Sequence, residues 1–145
     1  MEKKPSVVSE PAVAYYKKSR LSAHDILNVE HGRLDEPFQR VETFRKGLKK
    51  RSFEGLKEIS GLDNNTLAAA LAVSAKTLQR KEVFDTGQSE KLYQLAELYA
   101  MGINYFGREG FRRWMERPLF TLGNRIPLDL IDVSTGIDLL KAEIM

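Results

Sequence analysis

The chain has 145 residues, 42% of them apolar and 30% charged, with a net charge of +3 and no cysteine. That length suits one domain or two small ones sharing a core, and the missing cysteine excludes disulfides, thiolate metal sites and cysteine nucleophiles. A net charge of +3 is too small to establish nucleic-acid binding, so the placement of the basic residues matters more than their sum.

Residues 1–37 read as a leader, mobile or ordered by a partner. Pro5, Pro11 and Pro37 punctuate it, and Val7-Val8 and Ala12 to Tyr16 are its candidates for a short ordered piece. No apolar h-region follows the basic start Met1 to Pro5, and the purest apolar run, Leu67 to Val73, is too short to span a bilayer. The expected location is the cytoplasm, without a membrane partner.

Residues 38–86 carry the most informative pattern. Phe38 to Arg51 predicts a short amphipathic helix with Val41, Phe44 and Leu48 inward. Its basic residues Arg45, Lys46, Lys49, Lys50 and Arg51 form either a solvated face or a phosphate-facing one. Phe53, Leu56 and Ile59 repeat at three and predict a helix closed near Gly61. Asp63 or Asn64 can cap the next helix, because their side-chain oxygens accept from free N–H groups. Leu67, Ala68 and Leu71 form its inner face. Ser74 caps another, with Leu78 inward.

Two short helices joined by a tight turn match a helix-turn-helix DNA reader, whose second helix enters the major groove. Val73 locks the turn to the core, and the serine cap leaves N–H groups that favour phosphate. Ser74, Ala75, Lys76, Thr77, Gln79, Arg80 and Lys81 are the candidate DNA-contacting residues. Gln79 suits adenine and Arg80 guanine, each bidentate, while Thr77 and Lys81 suit phosphate. Ala72 occupies the turn position where glycine is common. Either the turn is tightened differently or the second helix docks at an unusual angle.

Residues 87–145 form a second helical unit. Gln88 to Phe106 places Leu92, Leu95, Ala96, Tyr99, Ile103 and Phe106 on one stripe. Gly107 stops it. Glu109 to Glu116 predicts a shorter helix with Phe111, Trp114 and Met115 buried. Leu119 to Ile126 reads as a loop around the Gly123-Asn124 turn. Pro127 opens a helix over Leu128 to Val133, and Ser134 or Thr135 caps a last helix with Ile137, Leu140 and Ile144 inward. No strand alternation is evident, so the fold class is all-α.

Enzyme chemistry finds little to use. His24 and His31 lie seven apart without zinc-type spacing, and there is no phosphate-binding glycine loop. Asp129 and Asp132 fit a solvated face or a cap. No catalytic residue, metal or cofactor is assigned.

The order of parts resembles a known family. Thr77-Leu78-Gln79-Arg80-Lys81 leads into Ser89-Glu90-Lys91-Leu92 and the long helix. Then come Phe106-Gly107, Trp114-Met115 and Leu122-Gly123-Asn124-Arg125-Ile126-Pro127-Leu128-Asp129-Leu130-Ile131. From about residue 40 onward this is similar to the Xre/MbcA/ParS antitoxins, partners of RES-domain toxins. The family pattern has Asn-Pro before the Leu-Gly pair and a second glycine after it, where this chain has Leu119-Phe120 and Asn124. The resemblance implies a helix-turn-helix DNA-binding domain followed by a helical toxin-binding domain. It implies a protein that neutralises a toxin consuming NAD or ADP-ribosylating a target, and that represses its own operon. Implied partners are the RES-domain toxin, operator DNA, and a second copy in a homodimer or higher hetero-oligomer. The implied toxin-facing residues are Trp114, Leu122, Gly123 and Arg125, with the C-terminal helix. From the residues alone, Trp114 reads as core before interface and Arg125 as an ordinary solvated loop residue. The rival function is a repressor whose second half dimerises or senses a ligand, with no toxin.

Overall fold

The structure is a computed structural model and describes residues 20–145. The short ordered pieces expected at Val7-Val8 and Ala12 to Tyr16 lie outside the described residues. In chain order the helices are α1 (Ala23–Leu27), α2 (Pro37–Lys46), α3 (Lys50–Ser60), α4 (Asn64–Leu71), α5 (Ala75–Arg80), α6 (Thr86–Phe106) and α7 (Arg108–Met115). Two 3-10 turns follow, Phe120–Leu122 and Pro127–Leu130, and then α8 (Ser134–Ile144). Among the described residues there is no strand, and the all-α expectation holds. Two isolated antiparallel bridges occur, Lys49 with Val83 and Leu119 with Arg125.

α6 is the spine. Asp85 caps it by accepting from the Gln88 N–H at 2.8 Å, and Gln88 returns the bond to the Asp85 N–H at 3.1 Å. The reciprocal pair satisfies two free donors, so the helix starts at Thr86, two residues before the Gln88 start expected from sequence. α1 to α4, α7 and α8 all pack against it. Leu92, Leu95, Ala96 and Leu98 are all fully buried. Leu98 falls off the expected stripe because the helices packed around α6 cover more than one of its faces.

Residues 20–36, read from sequence as part of the leader, belong to the packed fold. Ser22 and Asp25 form a reciprocal cap for α1. Ile26, Leu27 and Leu34 are buried. Ser52 Oγ donates to the Leu27 carbonyl at 2.6 Å. The Asn104 side chain bonds both backbone groups of Leu21, at 2.9 and 2.8 Å, tying the chain's entry to α6. α1 crosses α3 at Gly55, where a Cβ would run into the Ile26 carbonyl. A five-residue helix is too short to show a period, which is why sequence patterning misses it.

The helix expected over Phe38 to Arg51 is broken. It ends at Lys46, because Gly47 takes φ 95 and a Cβ there would meet the Phe84 carbonyl. Val41 is exposed, while Leu48 is buried in the link rather than on a helix face. The Leu48 N–H donates to Ser89 Oγ at 2.8 Å, and the Phe84 N–H donates to the Leu48 carbonyl at 2.9 Å.

Two further expectations change near the C-terminus. Leu128 to Val133 forms only the short 3-10 turn that starts at Pro127. Neither Ser134 nor Thr135 caps α8; Val133 holds the cap position, and Ser134 Oγ instead donates to Gln94 Oε1 at 2.9 Å. That bond ties α8 to α6. Ile137 and Leu140 are fully buried, and Ile144 nearly so.

Candidate nucleic-acid and partner interfaces

The helix-turn-helix is built from α4, a three-residue turn and α5. Asp63 Oδ1 accepts from the Thr66 N–H at 2.8 Å. That backbone bond, aided by the Thr66 side chain, holds the Asp63 carboxyl below its ordinary value. The turn does place Ala72 in the left-handed region, at φ 59 and ψ 41. The Val73 N–H reaches back to the Ala68 carbonyl at 3.0 Å, closing the end of α4. A left-handed backbone costs an alanine about 1–2 kcal/mol, and a glycine nothing comparable. Ala72 is exposed, so Ala72→Gly should stabilise the fold by about 1 kcal/mol after glycine's larger unfolded-state entropy is subtracted. Urea unfolding measures it directly; an unchanged or lower midpoint would contradict the strained turn.

Ser74 Oγ accepts from the Thr77 N–H at 3.0 Å and also pairs with Thr77 Oγ1 at 2.9 Å. Leu78 is buried beneath α5. Its position turns Ser74, Lys76, Thr77, Gln79 and Arg80 outward to solvent, with Ala75 and Lys81 half-buried. The basic stretch lies nearby. The Lys50 N–H donates to the Glu82 carbonyl at 3.0 Å, and Lys50 Nζ to the Gln79 carbonyl at 3.0 Å. Lys50 is therefore occupied at the end of α5. Arg45, Lys46, Lys49 and Arg51 remain exposed.

The C-terminal unit presents a different surface. Trp114 stacks on Phe106 and Phe111 at centroid distances of 5.5 and 5.6 Å, half-buried at the edge of an aromatic cluster. Tyr99 meets Phe111 edge-on, and burial pushes the Tyr99 hydroxyl pKa upward. The loop after α7 is a closed turn. The Asn124 N–H donates to the Leu119 carbonyl at 2.8 Å, with Gly123 at φ 66 and Asn124 at φ 62. Asparagine tolerates that backbone better than most residues, so the position where the family pattern has glycine still turns. Arg125 Nη1 donates to the Leu122 carbonyl at 3.0 Å, which folds the exposed guanidinium over Gly123. Leu122 is half-buried against the core. Thr121 Oγ1 and Glu143 Oε1, 2.6 Å apart, hold the loop beside α8.

Sequence patterning passes over three residues of this face. Phe120 is 88% exposed, Leu139 50% and Met145 86%. Leu139 carried a signal, since it is an apolar residue off the Ile137, Leu140 and Ile144 stripe. Phe120 looks like an ordinary loop residue until the turn projects it. No described helix is long and apolar enough to cross a membrane.

Two junctions bind the halves together. Lys91 Nζ, on α6, donates to the Asp132 carbonyl at 2.7 Å and the Ala70 carbonyl at 3.3 Å, bridging the end of α4 to the entry of α8. Lys141 on α8 pairs with Glu97 on α6 at 2.7 Å. Glu97 also accepts from the Tyr93 hydroxyl at 2.7 Å. Burial and that neighbouring carboxylate push the Tyr93 pKa up to about 12.

Residues 39–97 match the family model described as the antitoxin Xre-like helix-turn-helix domain. Residues 101–145 match the antitoxin Xre/MbcA/ParS C-terminal toxin-binding domain. No curated protein matches the chain. The two matched regions meet inside α6, so one continuous helix carries both. With both domain types in order along one chain, this protein belongs to the Xre/MbcA/ParS family of antitoxins.

Proposed function

We propose that this antitoxin neutralises a RES-domain toxin, covering the site where that toxin consumes NAD or transfers ADP-ribose, and represses its own operon by binding operator DNA. The observation that carries the reading is the toxin-binding domain match over residues 101–145, directly following the reader on a shared helix. The toxin would meet the face formed by Trp114, Leu122, Gly123, Arg125 and α8. The operator would meet Ser74 to Lys81. In this reading the antitoxin performs no chemistry of its own. It acts in the cytoplasm, where both DNA and NAD are present.

A homodimer would set two α5 helices about 34 Å apart, one turn of the duplex, and so read a palindromic operator. Phosphate contacts from α5 and the Arg45 to Arg51 stretch would make that binding fall steeply with salt.

Co-expression with the product of the adjacent reading frame tests the partner. A stable complex should form, and it should suppress the NAD loss that the neighbour causes alone. A neighbour that neither binds nor consumes NAD would overturn the RES assignment and favour the stand-alone repressor.

A further inference from the structure

The connection from α1 to α2 gathers the only two histidines of the chain. His24 sits on α1, and His31 and Asp35 sit in the connection. The imidazoles stack with centroids 4.7 Å apart and planes 26° from parallel. A ligating atom from each of His24, His31 and Asp35 lies within 4.8 Å of the other two.

We propose that these three side chains bind a borderline divalent metal ion, zinc first among them. Two imidazoles and a carboxylate are a donor set suited to such ions. The details of the cluster favour a ligand site over a plain ion pair. His24 Nε2 is buried and makes no hydrogen bond, although Asp35 Oδ1 lies 3.0 Å away. The two atoms are close but off the line a proton would need. A metal ion between them supplies what that geometry lacks. Asp35 Oδ2 already accepts from the Gly32 N–H at 2.9 Å. That bond fixes the carboxylate and leaves Oδ1 to ligate, as outer-shell partners do in metal sites.

Tetrahedral zinc sets its ligand atoms about 3.3 Å apart, given bond lengths near 2.0–2.1 Å. The widest separation here must therefore close by about 1.5 Å. His31 and Asp35 are both exposed and can rotate to do so. Solvent beside the exposed His31 and Asp35 can supply water to the fourth position. The histidines are seven residues apart, outside the helical spacings of known zinc motifs. It is the turn through Gly32 that brings them together. A bound ion would pin residues 28–36 to α1.

The test is calorimetric titration of the untagged, chelator-treated full chain with zinc chloride. His31→Ala and Asp35→Asn are titrated alongside. Both residues are exposed, and circular dichroism checks that each variant is folded. The expected result is one zinc per chain at micromolar concentration, with affinity about 10- to 100-fold lower in each variant. Amide exchange of residues 28–36 should slow on zinc addition in the unsubstituted chain alone. The absence of saturable binding at micromolar zinc, or undiminished binding in either folded variant, overturns the site.

Discussion

Reversing both charges in Lys76→Glu, Arg80→Glu should lower operator affinity by at least about 100-fold at moderate salt, while toxin binding is unchanged. A good bidentate base contact gives about 1–3 kcal/mol of discrimination, and replacing a cation by an anion adds repulsion from phosphate. Lys76 and Arg80 are exposed on α5, on the side away from the buried Leu78. The substitution therefore leaves the core closed, and the melting temperature should move little. Fluorescence anisotropy with the operator, between about 50 and 200 mM salt, measures both the loss and the shallower salt slope. A folded variant that also loses toxin binding would show that one surface serves both partners. Undiminished operator affinity would move the reading helix elsewhere.

The legible parts of this chain are those where local chemistry and tertiary packing agree. Asp63 and Ser74 cap α4 and α5 as their side chains predict, and Leu67, Leu71 and Leu78 point inward as spacing demands. Gly61 and Gly107 end α3 and α6. Expectations fail where a distant contact overrides the local signal. Gly47 breaks a continuous amphipathic pattern because Phe84 approaches its backbone from more than thirty residues away. Ser134 is a good cap by type, yet its hydroxyl is taken by Gln94. α1 has no readable period, and only its contacts with α3 and α6 reveal it. The His24 and His31 pairing was hidden for the same reason: sequence spacing does not report the path of a turn. The solvent-facing side of α5 was legible from chain order alone. The exposure of Phe120 was not legible, because it depends on a turn closed by Leu119 and Asn124.

Phe120→Asp combined with Arg125→Glu should abolish neutralisation, with toxin affinity lowered by at least about 100-fold and operator binding retained. An interface anchor commonly contributes 2 kcal/mol or more, and a buried unpaired charge costs several more. Phe120 is 88% exposed, and Arg125 bonds only a local carbonyl, so neither replacement removes core packing. Deleting residues 123–145 is the blunter experiment, and the structure shows why it misleads. It strips Ile131, Ile137, Leu140 and Ile144 from the core, all buried. At about 1.5–3 kcal/mol for each buried side chain, the loss is about 6–12 kcal/mol, against a total stability of about 5–15 kcal/mol for an ordinary domain. The truncated chain would lose DNA binding and toxin binding together by unfolding. Lys91, which spans from the Ala70 carbonyl to the Asp132 carbonyl, makes the same point. In the proposed reading the two functions use separate surfaces of one shared core, so surface substitutions are what can part them. A folded double variant that still neutralises the toxin at unchanged concentration would remove the Phe120 and Arg125 loop from the interface and leave Trp114 and α8 as the remaining candidates.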